Sequence, residues 1–282
     1  MDLPFKIDLS GKTVVVTGGG GVLCGNFAKV VAECGAKVAI LDIRKENADK
    51  VADEINANGG TAMGVATNVL QKESLEQARE EITKAFGPCD ILINGAGGNN
   101  PKGSTTNDYF DPKDVLDPEV MSFFDLDPDG IQFVFNLNFI GTLLPTQVFA
   151  KDMVDNGGII LNISSMNAFR PLTRIPAYSG AKAAISNFTQ WLAVHFAPAN
   201  IRVNAIAPGF FITDQNRGML IQPDGSYSAR AEKIVAHTPM RRFGEADELN
   251  GTLLWLLDNK ASGFVNGVVV PVDGGFAAYS GV

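Results

Sequence analysis

The fold is set by the segment Thr13-Val14-Val15-Val16-Thr17-Gly18-Gly19-Gly20-Gly21, in which a β-branched run ends in four glycines. Valine and threonine favour a buried strand, and glycines allow a tight turn after it. Residues 22–34 then carry apolar side chains at helical spacing and stop near Gly35, which predicts a helix. A strand that turns through glycines into a helix is the opening unit of an α/β fold.

Apolar strands and amphipathic helices alternate through the rest of the chain. Six further strands are predicted, at residues 37–41, 61–66, 91–93, 158–163, 201–206 and 268–272. Further helices are predicted at residues 45–58, 71–86, 131–153 (with an irregularity near Pro145), 178–196 and 246–257. Continuous apolar strands between helices are typical of a parallel sheet, and right-handed crossovers wind it in both directions. We therefore predict one α/β domain over residues 1–282: a doubly wound parallel seven-stranded sheet with helices on both faces.

Two long segments interrupt this rhythm. Residues 97–130 are rich in Asn, Asp, Pro and Gly, and residues 210–244 are irregular apart from helical turns around residues 229–236. Long irregular segments in a compact domain usually serve function. We expect both to be loops on the substrate side of the sheet.

The composition excludes several classes of protein. The chain has 282 residues, 45% of them hydrophobic, which suffices for one sizeable core. A net charge of -8 argues against nucleic-acid binding, which needs a basic face. Three cysteines without a CxxC motif and two distant histidines predict no metal site. With no signal peptide and no apolar run approaching the roughly 18 residues of a membrane span, we expect a soluble, cytoplasmic protein without membrane contact.

Tyr178 and Lys182 form a candidate acid–base pair. Pro171 and Pro176 separate them from the fifth strand, which delivers Ser165, so Tyr178 is predicted to open a new helix. Positions i and i+4 share a helix face, so the Lys182 cation is expected to lower the pKa of Tyr178. Such a tyrosine can exchange a proton near neutral pH. The alternative is an ordinary amphipathic helix in which the two residues meet by chance.

Residues suited to contact a bound ligand follow four successive predicted strands. In a parallel sheet, ligands bind at the carboxyl ends of the strands. The first strand ends in the glycines, which permit close approach of a pyrophosphate, although a plain tight turn is the alternative. The second ends in Asp42, 24 residues after Gly18, which can accept hydrogen bonds from the adenosine ribose and repel the extra phosphate of NADP. Arg44 nearby favours NADP, but on balance the pattern predicts NAD, with NADP less favoured.

These features together resemble the short-chain dehydrogenase/reductase family. The resemblance is carried, in family order over residues 11–275, by Thr17-Gly18, Asp42, Asn94-Gly95-Ala96-Gly97, Asn138, Ser165, Tyr178-x-x-x-Lys182, Pro208-Gly209 and Thr213. The resemblance implies a Rossmann-like fold. The chain departs from the family pattern at Val22 and Cys24, where glycines are usual, at Gly95, where asparagine is usual, and at Asn68, where aspartate is usual.

The resemblance also implies roles for particular residues. Tyr178 would be the general acid/base, and Lys182 would tune it and hold the nicotinamide ribose. Ser165, 13 residues before Tyr178, would polarise the substrate oxygen, with Ser164 as the alternative. Asn138 would hold a water, although it can instead stabilise a helix kink, and Asn136 is its rival. The implied cofactor-binding residues are Gly18, Gly21, Val22, Leu23, Asp42, Asn68, Val69, Asn94, Gly95, Ala96, Tyr178, Lys182, Pro208, Gly209 and Thr213.

A narrower resemblance extends into the loops. Residues 17–25, 94–99, 138–153, 164–167 and 273–282 are similar to the subgroup of D-mannonate oxidoreductases (D-fructuronate reductases). This likeness implies an NAD-dependent interconversion of D-fructuronate and D-mannonate. The alternatives are the same chemistry on another sugar acid or polyol, as in gluconate 5-dehydrogenases, and a cofactor-binding protein without turnover.

A sugar-acid substrate needs partners for its carboxylate and hydroxyl groups. We expect at least one arginine to pair with the carboxylate, because a guanidinium fork matches that group. The candidate substrate-binding residues are Asn99, Asn167, Arg170, Arg174 and Arg217. The family resemblance further implies a homo-oligomer, a tetramer or a dimer.

Overall fold

A seven-stranded parallel sheet forms the centre of the computed structural model, which describes residues 3–213 and 216–281. The strands are β1 (Thr13–Thr17), β2 (Lys37–Asp42), β3 (Thr61–Ala66), β4 (Ile91–Asn94), β5 (Gly158–Ile163), β6 (Ile201–Pro208) and β7 (Val269–Val272). Their spatial order is β3-β2-β1-β4-β5-β6-β7, and every pair is parallel. The order reverses between β1 and β4, which confirms the predicted doubly wound sheet.

Helices connect the strands. They are α1 (Val22–Glu33), α2 (Lys45–Ala57), α3 (Lys72–Phe86), α4 (Pro128–Phe135), α5 (Gly141–Phe149), α6 (Pro176–Phe196), α7 (Arg217–Leu220), α8 (Ala229–His237), α9 (Asn250–Leu257) and α10 (Asn259–Ser262). Side chains alternate across the sheet, so Val14 and Val16 pack with α1, α2 and α9, while Val15 packs with α3, α5 and α6. Helices therefore cover both faces, as predicted.

The helix predicted over residues 131–153 is divided. It begins earlier, at Pro128, and a π-helical turn at Asn136–Ile140 separates α4 from α5. The irregularity predicted near Pro145 is therefore misplaced, because Pro145 lies inside α5. Asn138 Nδ2 donates to the Val134 carbonyl at 2.8 Å, and a side chain that takes a backbone acceptor is a known cause of helix distortion.

One continuous helical segment, Pro128–Met153, is long and apolar enough to cross a membrane, with a mean hydropathy of 1.3. We expected no apolar run of that length. Polar residues such as Gln132 do interrupt the segment, but they carry no charge, so its average hydropathy remains high. Half of the segment is buried inside the fold. A helix packed on a sheet in the core of a protein passes the same test of length and hydropathy.

The two irregular segments contain local structure of their own. Within 97–130, short 3-10 turns form at Pro101–Gly103, Pro112–Leu116 and Phe123–Asp125. The second and third turns begin with capping boxes. In each, the side chain of the residue before the turn accepts from a backbone N–H within the turn, and a side chain within the turn accepts from the backbone N–H of that preceding residue. Within 210–244, α8 confirms the helical turns predicted around residues 229–236.

Candidate active site

The candidate site lies at the edge of the sheet where the parallel strands end. Asp42 closes β2, Gly95 follows β4, Ser165 follows β5 and Pro208 closes β6. Because these strands share one direction, residues far apart in sequence meet at this edge. Helix α6 adds Tyr178 and Lys182 from its first two turns.

Tyr178 and Lys182 lie side by side, as their spacing predicts. The Lys182 Nζ atom is 5.6 Å from the centre of the Tyr178 ring. Lys182 is only 4% exposed, and its Nζ donates a hydrogen bond of 2.8 Å to the carbonyl oxygen of Ile163 at the end of β5. The last residue of β5 thus fixes the amine beneath the tyrosine.

The expected lowering of the Tyr178 pKa is wrong for the free protein. Burial raises the pKa of Tyr178 above its ordinary value, and its hydrogen bond with Ser165 offsets only part of that rise. Burial also lowers the pKa of Lys182 from 10.5 to about 8. Both shifts have the same cause, since an apolar surrounding disfavours the charged form of each group. At neutral pH the pair therefore holds a neutral phenol next to an ammonium.

The two serines after β5 point to different neighbours, as strand alternation predicts. Ser164 Oγ lies 2.7 Å from Ser186 Oγ and donates to the Lys182 carbonyl at 3.2 Å, so it faces α6. Ser165 Oγ accepts from the Asn167 N–H at 3.2 Å and lies close enough to the Tyr178 hydroxyl to lower the pKa of that phenol. Ser165 is therefore the serine placed beside the phenol.

Asn138 is fully buried in the π-helical turn. Its Nδ2 donates to the carbonyl of Gly98 at 2.7 Å as well as to that of Val134. A Cβ added at Gly97 would lie 2.6 Å from Asn138 Oδ1 and 3.3 Å from Lys182 Nζ, so both polar groups flank this glycine. Asn138 thus stabilises the helix irregularity and also lies close to Lys182.

The glycine turn after β1 packs closely against the turn after β4. Gly18 has a φ of +63°, and a Cβ there would lie 2.8 Å from the backbone of Ala96. Gly21 caps α1 without a side-chain hydrogen bond. The first backbone N–H groups of α1 are therefore open to an anion, which the positive end of the helix dipole also favours.

Asp42 and Arg44 are held in a way that bears on cofactor choice. The Asp42 carboxylate accepts from the backbone N–H groups of Gly20 at 3.2 Å and Arg44 at 3.0 Å. With its amide oxygen turned toward Arg44, Asn47 accepts from the guanidinium at 3.0 and 2.9 Å. Asp42 thus lies beside the glycine turn, while Arg44 is turned onto α2.

Two departures from the family pattern compensate each other. A Cβ added at Gly95 would lie 2.1 Å from Cys24 Sγ, so a side chain at position 95 and the thiol at position 24 cannot coexist unchanged. Thr17 Oγ1 accepts from the N–H groups of Gly95 and Ala96 at 3.1 and 3.2 Å, which ties this turn to β1. Burial raises the pKa of Cys24 to about 12, so it is a neutral packing group.

The remaining cofactor candidates are placed by backbone and packing contacts. Asn68 Oδ1 accepts from the Leu70 N–H at 3.0 Å, and Val69 is buried against Gly141. The Asn94 side chain points into the fold, where it donates to Thr146 and Asn162.

The residues that follow β6 are closely packed. A Cβ at Gly209 would lie 2.5 Å from Asp273. Thr213 donates its N–H to Asn216 at 2.8 Å. The last two cofactor candidates, Val22 and Leu23, are the first residues of α1.

The substrate candidates separate into two groups. Asn167 is 4% exposed, and its Oδ1 has no hydrogen-bond partner within the part of the chain that the structure describes. Arg174 is half-buried and pairs with Asp108. Asn99, Arg170 and Arg217 are exposed, and Asn99 donates to Ser104. Asp108 gave no sequence signal, because aspartates are common in loops.

The chain has close relatives over its whole length. It is 58% identical over 285 residues to an uncharacterized oxidoreductase of Haemophilus influenzae, covering 100% of this chain and 99% of that protein. It is 52% identical over 281 residues to the uncharacterized oxidoreductase UxuB of Bacillus subtilis, covering 99% and 100%. A crystal structure with bound NAD, of a Haemophilus influenzae protein provisionally named D-mannonate oxidoreductase, has a TM-score of 0.93 and 58% identity and covers 98% of both chains.

The family model described as short chain dehydrogenase matches residues 12–222. The chain therefore belongs to the short-chain dehydrogenase family and is an oxidoreductase. Across residues 3–213 and 216–281, no group of three metal-binding side chains comes together.

Proposed function

We propose that this enzyme interconverts D-fructuronate and D-mannonate by hydride transfer with NAD(H). The likeness to the NAD-bound structure of the protein provisionally named D-mannonate oxidoreductase carries the substrate assignment, since it covers 98% of both chains. The alternative is the same chemistry on another sugar acid or polyol.

The residues at the strand ends fit the cofactor. The open N–H groups at the start of α1 suit the pyrophosphate, and the glycines before them allow its close approach to the backbone. Asp42 would accept hydrogen bonds from the adenosine ribose and repel a 2′-phosphate. The nicotinamide, when bound, supplies or accepts the hydride.

The neutral Tyr178 phenol suits proton donation to the carbonyl oxygen during reduction. Ser165, which lies near this phenol, would donate to the same oxygen and polarise the carbonyl. The Lys182 ammonium stabilises the phenolate left behind, because an opposite charge nearby favours the charged form. Asn138 would hold a water near Lys182, and Asn167 would bind a substrate hydroxyl with its unpaired oxygen.

Turnover is tested by following NADH absorbance with D-fructuronate, 5-keto-D-gluconate and D-fructose. We expect oxidation of NADH with D-fructuronate. The Tyr178→Phe variant should lose about 100-fold or more in kcat, since a positioned acid contributes roughly 10²–10⁴. Tyr227→Phe is the matched control, because Tyr227 is 42% exposed and packs on Phe243. Turnover of the other ketoses alone would replace the substrate assignment, and NADH binding without any turnover would refute the proposal.

We also propose a cytoplasmic homo-oligomer, a dimer or tetramer. Helix α6 presents Trp191, which is 55% exposed and stacks on Phe188 and His195, and Val194, which is 79% exposed. An exposed apolar face of this kind is expected to be covered. Light scattering should give a dimer or tetramer mass that Trp191→Asp reduces, and a monomeric wild type would contradict this proposal.

A further inference from the structure

The two long loops meet at one carboxylate, Asp108. Its Oδ1 accepts from Arg174 Nε at 2.7 Å and from Thr173 Oγ1 at 3.0 Å, both in the segment between β5 and α6. Its Oδ2 accepts from Lys233 of α8. Asp108 thus connects the 97–130 loop, the segment before Tyr178 and the 210–244 loop.

Arg230 belongs to the same cluster. It precedes Lys233 by three residues on α8, so the two side chains share a helix face, and Lys233 shows that this face is turned toward Asp108. Arg230 is half-buried, and no residue within 3–213 or 216–281 accepts a side-chain hydrogen bond from it. Burial lowers the pKa of Arg230, the Arg174 cation lowers it further, and Asp108 raises it, so Arg230 lies within electrostatic range of both groups.

The cluster has more positive than negative charge. Among the described residues, Arg174 and Lys233 pair with one carboxylate, Asp108, and Arg230 adds a third cation to the cluster. This surplus is local, since the whole chain has a net charge of -8. A half-buried guanidinium without an acceptor is unfavourable, because charges removed from water need a partner. An anion that pairs with Arg230 would remove that cost.

The cluster is attached to the segment that leads into Tyr178. Arg174 is four residues before Tyr178, and its carbonyl accepts from the Thr105 N–H at 2.8 Å. Its φ of +72° is rare for a residue with a side chain, so the contacts of Thr105 and Asp108 hold a strained backbone in place. Arg174 Nε is occupied by Asp108, which leaves its terminal nitrogens for another acceptor.

We propose that Arg230, assisted by the terminal nitrogens of Arg174, binds the carboxylate of the sugar-acid substrate. This inference rests on the proposed function, whose substrate carries a carboxylate several carbon atoms from the reacting carbonyl. Arg230 was not among the residues predicted from the sequence to bind the substrate. Two of those predicted residues, Arg170 and Arg217, are exposed. A guanidinium fork can hold both oxygens of such a carboxylate.

The test compares Arg230→Gln, Arg230→Lys and the matched control Arg242→Gln, whose arginine is exposed and pairs with Glu248. With Arg230→Gln, the KM for D-fructuronate should rise about 10- to 100-fold, the range expected for a charged hydrogen bond. The KM for NADH and the Tm should stay unchanged. Arg230→Lys should recover part of the loss, and Arg242→Gln should behave as the wild type.

Different outcomes would refute different claims. If the wild type reduces D-fructuronate and Arg230→Gln stays within about twofold of it in kcat/KM, the carboxylate site is wrong and the proposed function stands. If the KM for NADH and the Tm change together with the KM for D-fructuronate, Arg230 has a structural role and the inference also falls. If the wild type reduces no sugar acid, the proposed function fails and takes this inference with it.

Discussion

Replacing Lys182 by methionine should stabilise the protein while it abolishes turnover. Lys182 is 4% exposed, and burial lowers its pKa from 10.5 to about 8. Each pH unit of that change corresponds to 1.36 kcal/mol, so the ammonium costs about 3 kcal/mol at neutral pH. Methionine has a similar unbranched shape without the charge. The variant loses the charged hydrogen bond to the Ile163 carbonyl, worth about 2 kcal/mol, which leaves a net gain of about 1 kcal/mol.

The assay is urea unfolding at one fixed protein concentration, because oligomerisation affects apparent stability. At pH 7, Lys182→Met should unfold at a higher urea concentration, and its Tm should rise by about 2 °C or more. The control is Lys84→Met on the exposed surface of α3, which should change the free energy of unfolding by less than about 0.5 kcal/mol.

The pH dependence of this difference follows from linkage. Between pH 8 and 10.5 the unfolded amine keeps its proton while the folded amine has lost it, so the wild type gains stability as the pH rises. The advantage of Lys182→Met should therefore shrink over that range. A variant that is less stable at pH 7, or an advantage that does not change with pH, would refute the assignment of Lys182 as a buried and unfavourable charge.

Three further predictions concern the cofactor side of the site. Gly95→Ala should lower the free energy of unfolding by about 1–3 kcal/mol, because its Cβ would lie 2.1 Å from Cys24 Sγ. Adding Cys24→Gly should restore most of that loss. If the effects of the two substitutions simply add in the double variant, the compensation is wrong. Asp42→Ala should raise the KM for NADH about tenfold and reduce discrimination against NADPH, and unchanged values would remove Asp42 from the ribose. The kcat/KM for NADH should fall as the pH rises through about 8, where Lys182 loses its charge; a flat profile between pH 7 and 10 would argue against that role.

The fold was largely predictable because its signals are local. Each strand is a continuous apolar run, and glycines such as Gly18 and Gly35 mark the turns. The misplaced irregularity near Pro145 shows the limit of such signals. A proline is visible in the sequence, whereas the bond from Asn138 to the Gly98 carbonyl joins residues 40 positions apart.

The sequence by itself determined the sheet, the strand ends that form the site, and the spacing that places Tyr178 beside Lys182. These features depend on the alternation of side chains along strands and on the helical repeat, which are properties of neighbouring residues. Strand alternation also predicted that Ser164 and Ser165 face different neighbours.

Only the tertiary structure decided the electrostatics and the packing across the site. Burial, which sums contributions from many elements, raises the pKa of Tyr178 and lowers that of Lys182, opposite to what the pair predicts for the tyrosine. The fit between Cys24 and Gly95 joins two loops. The cluster of Arg230 and Asp108 likewise depends on how two loops 122 residues apart fold against each other, and no local pattern encodes that contact.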